Sequence, residues 1–334
     1  MESRTSSKLK ILYIVDILSQ HSDEEHPLNA TEICDHLQKY GIKAERKAIY
    51  DDINNLISYG FDIISTRTPK SGYFLASREF ELPEIYLLID AVQSADFITA
   101  KKTRELVSKL EKMMSKEQAK SRERSTYIEY TNKCDNEEIY IVIDALRRAV
   151  EHKKKVSLKY LRRSIENGRQ LGYTAKEFTV SPYALVWQDD HYYLICNNEK
   201  YDNLMHLRLD KMKGVTELKE SARYYGEVCE YTDVFNTADY VSKTFNMFGG
   251  ELVEIKLKCK KAILEQIIDR FGDKIFLVDV NDDSFSFYTK GRISEGLIGW
   301  ILQFGDGVEV ISPPSLRERI VDKITLLHKT YKKD

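Results

Sequence analysis

The sequence has few of the features that identify extracellular, metal-binding or membrane proteins. Its five cysteines stand singly, with no C-x-x-C pair, so neither a disulfide framework nor a zinc site is expected. No apolar run approaches the roughly 18 residues of a membrane-spanning helix. Asp16 interrupts the apolar residues near the start of the chain, where a signal peptide would be continuous. We therefore expect a cytoplasmic protein with no membrane partner.

The chain also lacks an excess of either charge. It has 51 Lys and Arg against 53 Asp and Glu, a formal net charge of −2, so there is no overall attraction for nucleic acid. Local charge is uneven, because residues 147–163 hold eight Lys or Arg against Glu151 alone, and residues 101–124 hold nine against four Glu. A charge run usually forms a solvated face, but the 147–163 cluster extends into a predicted strand beside aromatic residues.

Motifs typical of enzymes are missing as well. The sequence has no G-x-S-x-G, no Walker A loop and no H-E-x-x-H. Its seven histidines show no ligand spacing, and its paired acidic residues fall in predicted turns or on a helix surface. We expect no enzyme activity, no cofactor and no metal site.

Residues 8–76 have the pattern of three helices and a β-hairpin. Asn29 followed by Glu32 is a capping-box signature for the second helix. The third helix, near residues 45–59, has one apolar face. Its members are Ile49, Ile53 and Leu56. Two short alternating segments follow, joined by a Pro-Lys-Ser-Gly turn, and together these elements predict a winged helix-turn-helix whose third helix enters the major groove.

The polar face of that third helix predicts where DNA would bind. Arginine and asparagine side chains make paired hydrogen bonds to guanine and adenine, whereas lysine mainly supplies charge to phosphate. Cations in the hairpin turn would reach the adjacent backbone. The predicted DNA-binding residues are Arg46, Lys47, Tyr50, Asn54, Arg67 and Lys70. Asp51 shares this face and would repel phosphate.

The rest of the chain falls into a helical, a strand-rich and a mixed segment. Two helices are predicted within 82–115, and the polar, aperiodic stretch 115–126 is the predicted linker. A helix over 137–152 leads into a strand-rich block at 154–220. From residue 251 the predicted order is strand, helix, strand, strand, helix, strand, helix.

Three stretches of the chain resemble one family of regulators. Winged helix-turn-helix regulators have a recognition helix that resembles RKAIYDDINNLISYGFDI, with Ala48 and Asp51 where threonine and arginine are usual. The WYL domain resembles PYALVWQDDHYYLICNNEKYDNLMHLRLDKM, in which Tyr192, Tyr193 and Leu194 take the positions of its namesake residues. The extension that commonly follows WYL domains is similar to WILQFGDGVEVISPPSLRERI. Together, and in this order along the sequence, the three resemblances cover nearly the whole chain.

The resemblance implies an α+β multidomain protein of four parts. They are a winged helix-turn-helix DNA-binding domain at 1–80, a helical connector and linker at 81–134, a WYL effector-sensing domain built as a small Sm-like β-barrel at 135–225, and a ferredoxin-like α+β extension at 250–334. Because some WYL domains respond to nucleic-acid ligands, the family implies a transcription regulator that senses an anionic effector and binds double-stranded DNA as a homodimer.

Alternation along the predicted strands suggests the effector-binding residues. On a strand through 205–210, His206, Arg208 and Asp210 share one face. Cations interleaved with aromatic rings suit a nucleotide or a single-stranded nucleic acid. The predicted effector-binding residues are Tyr160, Arg162, Tyr183, Tyr192, Tyr193, His206, Arg208 and Asp210. Because a shift of one residue exchanges the two faces of a strand, the face that carries the ligand stays open.

Two other functions fit the same residues. An accessory protein would use the basic and aromatic barrel to bind RNA or single-stranded DNA and modulate a partner nucleic-acid enzyme, and a purely structural oligomer is the third alternative. In a regulator, we expect the effector to favour one placement of the recognition helices, transmitted by the helices of 82–115. Substitution of Arg46 and Lys47 separates the first two functions, since only a regulator depends on them for its main affinity.

Overall fold

The computed structural model describes residues 7–125, 133–166 and 170–332. The chain divides into two compact units, Met1–Asp135 and Asn136–Asp334. The first unit takes in the predicted DNA-binding domain together with the predicted helical connector. The second unit takes in the strand-rich block and the C-terminal segment, so these two segments also share one compact body.

Over its described residues, the first unit consists of helices and one antiparallel hairpin. Its elements are α1 (Ser7–His21), α2 (Ala30–Lys39), α3 (Arg46–Tyr59), β1 (Ile63–Thr66), β2 (Gly72–Leu75), α4 (Leu82–Ser94), α5 (Ala100–Glu111) and α6 (Lys116–Ser125). A bridge between Leu28 and Tyr73 ties the loop before α2 to the hairpin. Glycine is required at Gly72, because a Cβ there would lie 2.8 Å from the carbonyl carbon of Leu28.

The three helices and the hairpin predicted for residues 8–76 are confirmed. Asn29 accepts hydrogen bonds from the amides of Thr31 and Glu32, and the Glu32 carboxylate accepts from the Asn29 amide at 2.8 Å, which completes the capping box. The predicted apolar face of α3 is buried against α1 and α2. The core includes Ile14, Leu18, Ile33, Leu37, Ile49, Ile53 and Leu56.

The linker predicted at 115–126 is wrong over its described residues, because α6 occupies this stretch. The Ser115 hydroxyl accepts from the Gln118 amide at 3.1 Å, and the Gln118 side chain accepts from the Ser115 amide at 3.0 Å. Arg122 is buried and donates to the Gln93 side chain at 2.6 Å. The helix therefore depends on a Ser-x-x-Gln capping box and a buried guanidinium, neither of which gives an apolar period. Residue 126 lies outside the described residues.

The second unit begins with a helix and five antiparallel strands. They are α7 (Ile139–Glu151), β3 (Lys154–Glu166), β4 (Gln170–Gln188), β5 (His191–Asn197), β6 (Met205–Arg208) and β7 (Met212–Ser221). The strand order is β6-β5-β4-β3-β7. The closed barrel expected here is wrong, since the edge strands β6 and β7 do not pair over the described residues. A 3-10 turn at Leu209–Lys211 follows the four-residue β6 and carries the chain from one edge to the other without pairing.

The rest of the second unit is an α+β segment with the predicted order. Its elements are α8 (Thr237–Ser242), β8 (Leu252–Lys260), α9 (Leu264–Phe271), β9 (Leu277–Val278), β10 (Ser284–Arg292), α10 (Glu295–Leu302), β11 (Val308–Ser312) and α11 (Pro314–Tyr331). The sheet order is β11-β8-β10-β9, all antiparallel. Its core includes Leu257, Phe285, Phe287 and Leu297. The short helix α8 was not predicted, because fewer than two turns give no recognisable period.

Three further findings bear on the kind of site the protein contains. All five cysteines are free thiols. In the ranges given above, no helix is both long and apolar enough to cross a membrane. The same ranges contain no group of three or more His, Cys, Asp and Glu side chains placed to hold a metal ion.

Candidate nucleic-acid and effector surfaces

The outward surface of α3 carries four of the predicted DNA-binding residues. Arg46, Lys47, Tyr50 and Asn54 are exposed on the side opposite the buried apolar face. We refer to these four residues as the α3 face. Within the described part of the chain, no hydrogen bond or ion pair holds the Arg46 or Lys47 side chain, so both cations are available to phosphate or base edges.

Two acidic residues of α3 differ in what they contact. Asp52 is ion-paired with Lys10 of α1, whose Nζ lies 2.7 Å from Asp52 Oδ2, so its charge is neutralised within the fold. Asp51 is exposed on the same side as Arg46 and Lys47. Of the two, Asp51 is therefore the one that opposes an approaching phosphate.

The hairpin turn carries two further predicted cations, of which Lys70 contacts the N-terminal end of α2. Arg67 is exposed. Lys70 is ion-paired, with its Nζ 2.7 Å from Glu32 Oε1. Burial raises the pKa of Glu32, but hydrogen bonds from Lys70 and from the Asn29 amide outweigh this and lower it. Lys70 must leave Glu32 to contact phosphate, whereas no hydrogen bond or ion pair among the described residues holds the Arg67 side chain.

Strands β5 and β6 bring together the residues that hold Arg208. Tyr193 pairs with Arg208 across the two strands. The Arg208 guanidinium makes two bonds to Asp210, at 3.0 Å from Nε and 2.7 Å from Nη2. The Arg208 amide donates to the hydroxyl of Tyr160 at 3.3 Å. The guanidinium is thus held in a fixed orientation with about a quarter of the side chain, 27%, exposed.

Several cations surround Arg208, and we call Arg162, Tyr193, Arg208, Asp210 and Lys211 the Arg208 patch. Burial, followed by the neighbouring Arg208, lowers the pKa of Lys211; Arg162 and Arg163 act in the same direction. For Arg208 itself, burial lowers the pKa, but Asp210 outweighs it and raises the pKa. Asp210 is the one acid in the patch, so an anionic ligand would share the guanidinium with it.

Two predicted effector-binding residues pack against the segment that follows β7. His206 contacts α8, with its Nε2 2.8 Å from the hydroxyl of Tyr240, and Tyr183 packs against Tyr225 and Phe235. Burial, together with the charge of Arg292, lowers the pKa of His206 to about 4, so the imidazole is neutral near pH 7. Residues of the segment 224–249 pack against these side chains, and Tyr193 of the Arg208 patch packs against the same cluster.

The remaining two predicted residues do not present their rings at the exposed patch. Tyr160 is buried below Arg208, so it positions the strand rather than presenting its ring to solvent. Tyr192 points to the opposite side of the sheet, where its hydroxyl accepts from Arg147 of α7 at 3.0 Å. The structure therefore places Arg162, Tyr193, Arg208 and Asp210 at one surface. Tyr160, Tyr183 and His206 pack below or beside it, and Tyr192 lies on the opposite side of the sheet.

Sequence reasoning missed two residues that lie outside the five strands β3 to β7. Lys211 joins the Arg208 patch through the 3-10 turn after β6. Arg292 of β10 lies over the Tyr240 ring at 4.7 Å and pairs with Glu230 at 2.6 Å, which fixes the covering segment to the C-terminal sheet. The density of aromatic residues in YYGEVCEYTDVFNTADY was the available signal, because such a run must be buried against something.

Comparison with known proteins identifies two domains. Residues 141–217 match the WYL domain, and residues 251–327 match the WCX domain. No curated protein sequence matches the chain.

Two solved structures are similar to the chain at low identity. One is the proteasome accessory factor B/C (PafBC) of Arthrobacter aurescens, with 16% identity, 98% of this chain and 49% of that chain covered, and a TM-score of 0.28. The other is a CRISPR Cas-related protein, with 12% identity, 96% and 84% coverage, and a TM-score of 0.36. This chain spans about half the length of PafBC.

Proposed function

This chain is a WYL-domain protein with a WCX domain behind the WYL domain, and we propose that it is a DNA-binding transcription regulator. In this proposal the first unit binds double-stranded DNA and the second unit senses an anionic effector. The protein acts in the cytoplasm as a homodimer, and no catalytic activity is assigned to it.

The α3 face supports DNA binding most strongly. Three helices followed by a hairpin have the element order of a winged helix-turn-helix, in which the third helix enters the major groove and the hairpin reaches the backbone. Arg46 and Lys47 are exposed, and Asn54 lies about two turns further along the same helix. A buried apolar face therefore fixes the orientation of α3, while its free polar face has donors for base edges and phosphates.

The Arg208 patch supports effector binding. The helix and five strands of the WYL domain suggest an Sm-like arrangement that is open at its edges. At its surface an oriented guanidinium lies beside a tyrosine ring, with Arg162 and Lys211 nearby. Cations beside an aromatic ring suit a phosphate joined to a base. We infer that the effector is a nucleotide or a single-stranded nucleic acid.

Fluorescence anisotropy of the full chain tests the proposal. The probes are a labelled duplex from the upstream region of its own gene and a labelled single strand, each titrated over a series of salt concentrations. We expect tight duplex binding that survives competitor DNA and changes when unlabelled single strand is added. The variant Arg46→Ala/Lys47→Ala should lose duplex binding by about 100-fold, since each contact contributes about 1–3 kcal/mol.

The matched control is Arg104→Ala/Lys109→Ala, which removes two exposed cations from α5 without touching α3. Its duplex affinity should change only slightly, so a comparable loss would mean that net charge alone explains binding. The variant Arg208→Ala should retain duplex affinity but lose the response to single strand. Tight single-strand binding that depends on Arg208, with little effect of the α3 substitutions, would instead identify an accessory nucleic-acid-binding protein.

A further inference from the structure

The first unit contains a cavity of about 610 Å³ that neither proposed surface uses. Its walls come from the hairpin, from the start of α4 and from the turn into α6. The apolar lining includes Ile64, Phe74, Phe80, Leu82, Ile85 and Met114. We call this space the hairpin cavity. Its volume lies within the range of about 300–1,000 Å³ that is usual for small-molecule sites.

Two charged side chains of the lining hold the fold together. Arg78 donates to the carbonyl oxygens of Ser19 and Ser22, both at 2.7 Å. Asp23 is buried and accepts from the His26 amide at 2.9 Å, and the Ser115 hydroxyl donates to its other oxygen. These bonds join α1 to the turn before α6, so the cavity has a fixed shape.

The rim of the hairpin cavity is acidic. Besides Asp23 it includes the carboxylates of Glu24, Asp62 and Glu81, against the single guanidinium of Arg78, which gives the lining a formal charge of −3. The Glu81 side chain caps the start of α4. Glu24 and Asp62 are exposed, and within the described residues no hydrogen bond or ion pair involves either carboxylate.

We propose that the hairpin cavity binds an organic cation with an apolar body, such as a quaternary ammonium or phosphonium compound. The apolar walls would remove the body of the ligand from water. The rings of Phe74 and Phe80 can meet a delocalised cation on their faces, as aromatic residues do in other sites for quaternary ammonium groups. The carboxylates at the rim would attract a cation and repel an anion of the same shape.

Two probe ions of nearly equal size and opposite charge test this proposal. Tetraphenylphosphonium and tetraphenylborate are each titrated into the full chain by isothermal titration calorimetry, without DNA, so the result does not depend on the proposed DNA binding. We expect saturable binding of one phosphonium ion per chain and at least tenfold weaker binding of the borate. Equal binding of both ions would show that the cavity binds apolar ions whatever their charge, which contradicts a cation site. Absence of phosphonium binding would overturn the proposal altogether.

Substitutions at the rim locate the site. The variant Glu24→Gln/Asp62→Asn removes two carboxylates with little change of shape, and phosphonium affinity should fall about tenfold. The matched control Asp35→Asn/Glu105→Gln removes two exposed carboxylates outside the lining and should leave the affinity unchanged. An equal loss in both variants would mean that net charge, and not the cavity, attracts the ion.

A third variant reverses the charge at the mouth. Ile64 is 43% exposed, so Ile64→Lys places a cation there without disturbing the buried core. Phosphonium binding should be abolished, and borate binding should strengthen. Undiminished phosphonium binding would exclude the hairpin cavity as its location.

Discussion

The α3 face and the Arg208 patch both present arginine to solvent, but they hold it differently. Arg46 lies on a single helix and has no bonding partner within the described residues. Arg208 is bound twice to Asp210, and its amide donates to Tyr160. A ligand at the α3 face meets free donors, whereas a ligand at the Arg208 patch must share a donor that the protein already uses.

This difference separates binding from stability in the two regions. Removing an exposed side chain with no internal partner changes stability by about 0.5 kcal/mol or less. Removing a partner from a buried hydrogen-bonded group leaves the other group unsatisfied and costs about 1–3 kcal/mol. Substitutions of Arg46 and Lys47 should therefore change affinity alone. Substitutions around the Arg208 patch should change affinity and stability together.

The largest effect should come from His206→Ala, which removes the side chain that joins β6 to α8. We expect the free energy of unfolding of the second unit to fall by about 3–4 kcal/mol, because a buried ring and its bond to Tyr240 are both lost. Denaturant unfolding followed by tryptophan fluorescence reports on this unit, since Trp187 and Trp300 both belong to it. The control His152→Ala removes an exposed histidine and should shift the midpoint little.

A slightly smaller loss of unfolding free energy is expected when the pH is lowered. The pKa of His206 is about 4 in the folded protein because of burial and Arg292, against about 6.5 when unfolded. The unfolded state binds more protons between these values, so stability is full above about pH 6.5 and falls as the pH drops towards 4, by about 3 kcal/mol in all. His206→Gln should flatten this part of the pH profile of unfolding. An unchanged slope would show that His206 has the same pKa in the folded and unfolded states.

Asp210→Asn should reveal the competition at the Arg208 patch. We expect a loss of about 1–2 kcal/mol in unfolding free energy, because a partly buried guanidinium loses its charged partner. Affinity for a single-stranded oligonucleotide should rise several-fold, since the ligand no longer shares Arg208 with a carboxylate. The control is Asp190→Asn, at an exposed position with positive φ in the β4–β5 turn. It should change neither the unfolding free energy nor the affinity for single strand. Weaker single-strand binding in Asp210→Asn would assign Asp210 a direct role in holding the ligand.

The same contrast explains which features the sequence could predict. The helical period places Ile49, Ile53 and Leu56 in the core, so the composition of the α3 face follows directly. Strand alternation placed His206 and Arg208 on one face, and β6 has that arrangement. Alternation carries no information about what covers a face. It therefore did not predict that the segment 224–249 would cover His206 while Arg208, on the same face, stays partly exposed.

Polar packing was the other source of error. α6 has almost no apolar residues, and its position depends on the capping box at Ser115 and on the buried Arg122. Both are specific polar contacts that need a partner elsewhere in the fold, and a periodic pattern does not reveal them. The prediction of a closed barrel was wrong for a related reason. Closure depends on how two edge strands meet in space rather than on the residues of either strand.

The smallest effect should come from Asp51→Asn, which tests the α3 face alone. Asp51 is exposed beside Arg46 and Lys47, so its removal should leave thermal stability within about 0.5 kcal/mol of the wild type. Duplex affinity should rise about two- to fivefold at low salt, because a negative charge facing phosphate is lost, and the gain should shrink as salt screens it. Glu105→Gln on α5 makes the same change of net charge away from this face and should give no such gain. If Asp51→Asn and Glu105→Gln change duplex affinity equally in anisotropy titrations, α3 does not face the duplex. In that case the unbonded Arg46 of the α3 face contributes no more to DNA binding than the bonded Arg208 of the Arg208 patch.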